Sequence, residues 1–304
     1  MKQTQESLFG RWIMIVAVFL LFAGSAYTAQ ASYPPSTSQA PIAVRLDGPS
    51  TNPVYQDETP IPSQNAQQIL LPPLKAVLIV GPIDGDYGNA TTTEKNNMEL
   101  AAKELEARGV TVYRFYAPDT NWDQIKAVAN GAHFLMYRGH GVAWGALPNP
   151  PVGGFALNGR FVSNDDIRND IRLAPNAIVM LYGCFTAGSS SSDTASIGID
   201  EAKRRVEMYS DPFFDAGAGG YYADWFGDAF QLYVRYLFSG MTQKQAYEAY
   251  HDYSSDRIFQ GAHADHSYMP LWMGWDEWYD PKPQYNNAFA GRLDWRLDHL
   301  FSAP

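Results

Sequence analysis

The stretch FLMYRGHGVAWG, residues 134–145, sets an apolar run directly before Arg138, Gly139, His140 and Gly141. A buried strand that ends in a histidine held between two glycines carries a titratable ring to the rim of a sheet, where the backbone is free to turn sharply. A second stretch, AIVMLYGCFTAG at 177–188, repeats the layout and ends in Cys184, the single cysteine of the 304-residue chain.

Outward from this pair, strand and helix signals alternate. KAVLIVGP at 75–82 reads as a buried strand stopped by Gly81-Pro82. Thr91 and Glu94 have capping-box spacing, Met98, Ala101, Ala102 and Leu105 recur at helical intervals, and Gly109 closes that helix. VTVYRFY is the next strand, and Thr120 with Asp123 opens a second helix that Gly131 ends. GGFALNGRFVS predicts a hairpin about Asn158-Gly159, Ser163 with Asp166 caps a short helix, and NAIVMLYG is the fourth strand. DAGAGGYYADW predicts a small-residue strand, with a helix from Asp224 to about Ser239 and another opened by Thr242 and Gln245. The last fifty residues read as aromatic and irregular. Continuous apolar strands alternating with helices define an α/β fold, a mainly parallel sheet with helices on both faces. Such sheets hold their chemistry at the carboxyl ends of the strands, where His140 and Cys184 both fall.

The ends of the chain read differently. Residues 12–23 are apolar behind Lys2 and Arg11, and Ala29-Gln30-Ala31 offers a small-residue cleavage site. Residues 1–31 are therefore expected to be a secretory signal peptide, which places the protein outside the cell or in the cell envelope. The competing reading is an uncleaved anchor, which alone would tie the chain to a membrane. Residues 32–74, rich in Pro, Ser, Gln and Asn, read as a linker or pro-segment, 75–255 as the α/β domain, and 256–304 as an aromatic extension packed on it. A net charge of −10 repels phosphate and argues against a nucleic-acid partner. Export normally goes with paired cysteines, so a lone one is either a small buried apolar residue or a nucleophile.

The motifs MYRGHG and MLYGC, in this order, resemble those of caspase-like (clan CD) cysteine peptidases, the group of caspases, legumains, gingipains and clostripain. The likeness is best to bacterial CHAT-like domains and runs from about 74 to 254, through GRFVSNDDIRNDIRLAPNAIVMLYGCFTAG and FGDAFQLYVRYLFSGMTQKQAYEAYHD. The resemblance implies a caspase-like three-layer sandwich, His140 as the dyad histidine, Cys184 as nucleophile and the Gly141 N–H as an oxyanion donor, with a protein or peptide substrate and neither metal nor cofactor. This sequence departs from the pattern at Gly183, where alanine is usual, and in the serine-rich TAGSSSSDTAS after the cysteine. A non-catalytic binding or scaffold domain of the same fold is the alternative.

Specificity for basic residues would need a carboxylate on the rim. Asp84 and Asp86 in GPIDGDYGN and Asp224 in GYYADWFGD are the candidates, although Asp-Gly pairs form ordinary turns and Asp224 is placed to cap a helix. The Asp84/Asp86 loop is a weaker calcium candidate, because Gly88 breaks the ligand spacing. His263 and His266 lack a third ligand in any known metal pattern and read as packing or surface residues. No G-x-S-x-G elbow and no phosphate-binding G-x-x-x-x-G-K-[ST] loop occurs.

Overall fold

A computed structural model describes residues 73–145, 149–277 and 284–301. The predicted signal peptide and nearly all of the predicted linker lie outside the described residues. Among the described residues, no helix is long and apolar enough to cross a membrane.

Five strands form the parallel part of one eight-stranded sheet: β1 (Lys75–Val80), β2 (Thr111–Tyr116), β3 (Phe134–Arg138), β6 (Ala177–Tyr182) and β7 (Ala218–Asp224). A small separate hairpin pairs β4 (Phe155–Leu157) with β5 (Arg160–Val162) across Asn158-Gly159, as predicted. The full order is β2-β1-β3-β6-β7-β10-β9-β8. The last three strands, β8 (Ile258–Ala262), β9 (Pro270–Asp276) and β10 (Gln284–Gly291), run antiparallel to their neighbours. The described part of 256–304 is thus not irregular, since its three strands continue the central sheet.

Helices α1 (Asn89–Glu106), α2 (Trp122–Ala129), α3 (Asn164–Asp170), α4 (Ile199–Asp215), α5 (Ala229–Phe238) and α6 (Gln243–Ala249) cover the sheet. Alternation along β1 and β3 divides the core. Val77, Ile79, Leu135 and Tyr137 face α2, α3 and α4 through Ile125, Ile167, Val206 and Phe213. Leu78, Val80, Phe134 and Met136 face α1, α5 and α6 through Met98, Leu105, Phe230, Leu237 and Ala246. Two buried apolar layers on either side of a mostly parallel sheet make this an α/β protein of three layers.

The capping boxes at Ser163/Asp166 and Thr242/Gln245 form as the sequence predicts. Two other helix starts differ. Asn121, not Thr120, caps α2, its side chain accepting from Gln124 N. Thr91 and Glu94 make no capping box. Helix α1 begins earlier, at Asn89, its first-turn amides Ala90 N and Thr91 N donating to Asp84 (both 3.0 Å), which leaves Glu94 free to turn inward.

Candidate functional site

Strands β3 and β6 are neighbours in parallel register, with Arg138 opposite Tyr182. Gly139 N continues the ladder to Tyr182 O at 3.1 Å, so His140 and Cys184 leave the sheet at the same level on adjoining strands. The two backbones then touch: a Cβ on Gly141 would fall 1.7 Å from Cys184 O, and one on Gly183 would fall 2.9 Å from Gly139 O and 3.0 Å from Gly141 N. Glycine at 141 is a packing requirement. At Gly183 the fit is tighter than usual but looser than at Gly141, and the atoms a methyl would meet there are backbone and not a yielding side chain.

His140 is held from two sides. Its carbonyl accepts from Tyr137 Oη at 2.9 Å, and its Nε2 lies 2.9 Å from Ile83 O. A carbonyl only accepts, so Nε2 is the donor in this contact. The loop after β1 is thereby drawn to the histidine. The sequence holds no sign of this partner, since a main-chain carbonyl is the same in every residue type.

Cys184 is 2% exposed, and its Sγ lies 3.3 Å from Ser191 Oγ. The next residue, Phe185, has φ 70°. A bulky side chain in the left-handed region costs of order 1–3 kcal/mol and holds the chain in a sharp turn directly after the cysteine. Phe185 N donates to Ser189 O at 2.8 Å, closing that turn.

Of the three candidate pocket carboxylates, the structure brings the Asp84/Asp86 loop to His140 through Ile83. Asp84 is committed to the start of α1; burial raises its pKa, but hydrogen bonds from Ala90, Thr91 and the Thr91 hydroxyl outweigh this and hold it below the usual carboxylate value. Asp86 accepts from Asn158 Nδ2 at 3.2 Å. Asp224 faces no cleft. It is fully buried, accepts from Tyr222 Oη (2.9 Å) and Phe226 N (2.8 Å), and helix α5 starts only at Ala229, so it is not that helix's cap. Burial, then the nearby charge of Asp252, pushes its pKa well up.

Arg138, which the sequence reading left unassigned, is fully buried behind the site. It pairs with Glu94 at 2.6 Å, donates to Phe226 O and Gly227 O (both 2.9 Å) and lies over the rings of Tyr182 and Phe230. One guanidinium so ties β3 to α1 and to the turn after β7.

Elsewhere, Asp211, Asp215 and His266 come close enough to share an ion, but Arg168 pairs with both aspartates and supplies positive charge there. His263 is buried with Nε2 3.0 Å from Ser210 Oγ. A cavity of about 480 Å³, bordered by Trp144, Phe161 and Arg204, includes none of the predicted site residues in its lining.

No protein-family model matches the chain, and no curated protein matches it. Among solved structures, it is similar to a short-chain flavodoxin associated with a bacterial microcompartment, at 16% identity and a TM-score of 0.27, over 48% of this chain and 77% of that one. What the fold and the rim define is an α/β protein with a mostly parallel, helix-covered sheet and a His/Cys pair at adjacent strand ends.

Proposed function

We propose that the chain is an exported caspase-like cysteine endopeptidase that cleaves peptide bonds with a His140/Cys184 dyad. The observation that carries the reading is the delivery of both residues by neighbouring parallel strands whose ends are in backbone contact at Gly141 and Cys184. In this reading His140 Nδ1 takes the Cys184 thiol proton, because Nε2 is engaged by Ile83 O. The thiolate attacks the scissile carbonyl carbon, the Gly141 N–H receives the oxyanion, and the proton passes to the leaving amine. Water then enters, His140 removes its proton, and the thioester is hydrolysed to release the acid and restore the thiol. Basic residues before the scissile bond are the proposed preference, with the Asp84/Asp86 loop beside His140 as the source of negative charge.

The near-complete burial of Cys184 favours a second reading, a binding or scaffold domain of the same fold without turnover. One experiment separates the two. Hydrolysis of Arg- and Lys-containing peptides falls at least 100-fold in Cys184→Ala and in His140→Ala if the dyad operates. Variants as active as the parent would remove the peptidase reading, and a parent with no turnover would leave the scaffold.

A further inference from the structure

We infer that residues 190–193 form a latched lid over Cys184, so that the chain as folded holds its thiol in a covered, resting state. Exposed Ser191 touches the buried sulfur, so this short segment borders Sγ on its solvent side while the hydrophobic core packs the rest of Cys184. The segment is Ser-Ser-Ser-Asp, with no apolar side chain to lift out of the core.

Its attachments divide into a fixed base and a single catch. The base is Ser189, whose N–H donates to Tyr285 O (3.1 Å), whose hydroxyl accepts from Tyr285 N (2.9 Å) and whose carbonyl accepts from Phe185 N. Beyond it, Ser190 Oγ and Ser192 Oγ bond each other, and Ser190 N donates to Asp193 Oδ2. The catch is Asp193, gripped by both terminal nitrogens of Arg205 at 2.9 Å each. Arg205 projects from α4 and is nearly buried, yet opening would not strand its charge: Nε keeps Glu201 at 2.8 Å and Nη1 keeps Gly188 O at 3.1 Å. Asp193 would swing into water, where a carboxylate needs no partner. Release therefore breaks the Asp193–Arg205 pair and the Ser191–Cys184 contact and brings the buried Ser190 toward water, but leaves no buried charge alone. That the cover gates catalysis rests on the peptidase reading; that it shields the thiol does not.

The test is the rate of iodoacetamide labelling on the full chain at fixed pH, read by intact mass, where the single cysteine makes each adduct unambiguous. The parent labels at least ~10-fold more slowly than a short cysteine peptide, and Asp193→Asn, which keeps the shape and drops the charge, labels at least ~10-fold faster than the parent. Equal rates in parent and variant, or a parent as fast as the peptide, overturn the lid. Should the variant not fold, hydrogen exchange on the parent decides: amides of 191–193 exchange well ahead of the Ser189 amide, and uniform exchange overturns it. Labelling needs no turnover, so failure of the peptidase reading would show separately, in the Cys184→Ala comparison.

Discussion

Gly141 lies directly against Cys184: a β-carbon on the glycine would meet the cysteine's carbonyl oxygen at 1.7 Å and its nitrogen at 2.7 Å. The histidine and cysteine loops are thus registered by main chain, and any side chain at 141 must push them apart. Gly141→Ala is expected to destabilise the fold by about 1–3 kcal/mol, the range for overpacking, and to lower hydrolysis by more than the loss of folded protein explains. Urea unfolding and single-turnover assays on the same preparation check both; unchanged turnover would contradict the contact.

At Gly183 the added methyl is tight but not impossible, at 2.9 Å and 3.0 Å from neighbouring backbone. Gly183→Ala is expected to cost about 1 kcal/mol, at the mild end of overpacking, with a smaller activity loss than Gly141→Ala. Their order in a thermal melt tests it.

Glu94 exists in this fold to serve Arg138. Removing the carboxylate in Glu94→Ala leaves a buried guanidinium without its ionic partner and should cost about 3–5 kcal/mol. The double variant Glu94→Leu/Arg138→Met should recover part of that loss, because the buried charge is gone while the Phe226 and Gly227 carbonyls lose their donor. Urea midpoints of the single and double variants are the measurement, and a single variant as stable as the parent would mean that Arg138 does not depend on Glu94.

Asp224 makes a pH prediction. Its folded-state pKa lies well above 3.8 through burial, so between 3.8 and that raised value the folded chain holds a proton that the unfolded chain has released. The stability it contributes is fully present below pH 3.8 and is lost as pH rises through the folded value. Asp224→Asn should therefore be more stable than the parent at pH 8, with the gap closing toward pH 4. A gap that stays constant with pH would show that the carboxyl does not titrate in this way.

Much of the parallel half was legible because its strands are apolar throughout and its turns carry glycine. The order of motifs also placed His140 and Cys184 on one rim, and β3 and β6 are indeed adjacent. What escaped has physical causes. Helix α4, for which no element was expected, turns Arg205 and Ser210 as well as Val206 and Phe213 to its buried face and contains Pro212, which blurs its apolar stripe. Strand β10 reads as polar because Gln284, Asn286 and Asn287 are buried in it; Asn286 and Asn287 both donate to Asp252, and Tyr247 bonds Asn287. Glu94 matches a capping pattern by spacing alone, and only the fold reveals the arginine that claims it. Ile83 and the Asp193–Arg205 catch were hidden for the same reason, being relationships between distant segments and not properties of any short one.

The seat of β10 between β7 and β9 fixes an order of events during synthesis. The strand that completes the far side of β7, and supplies Tyr285 to steady the loop over the thiol, leaves the ribosome after β7 and after both rim residues. A nascent polypeptide halted near residue 255 would already carry His140 and Cys184, with one flank of its sheet still unpaired.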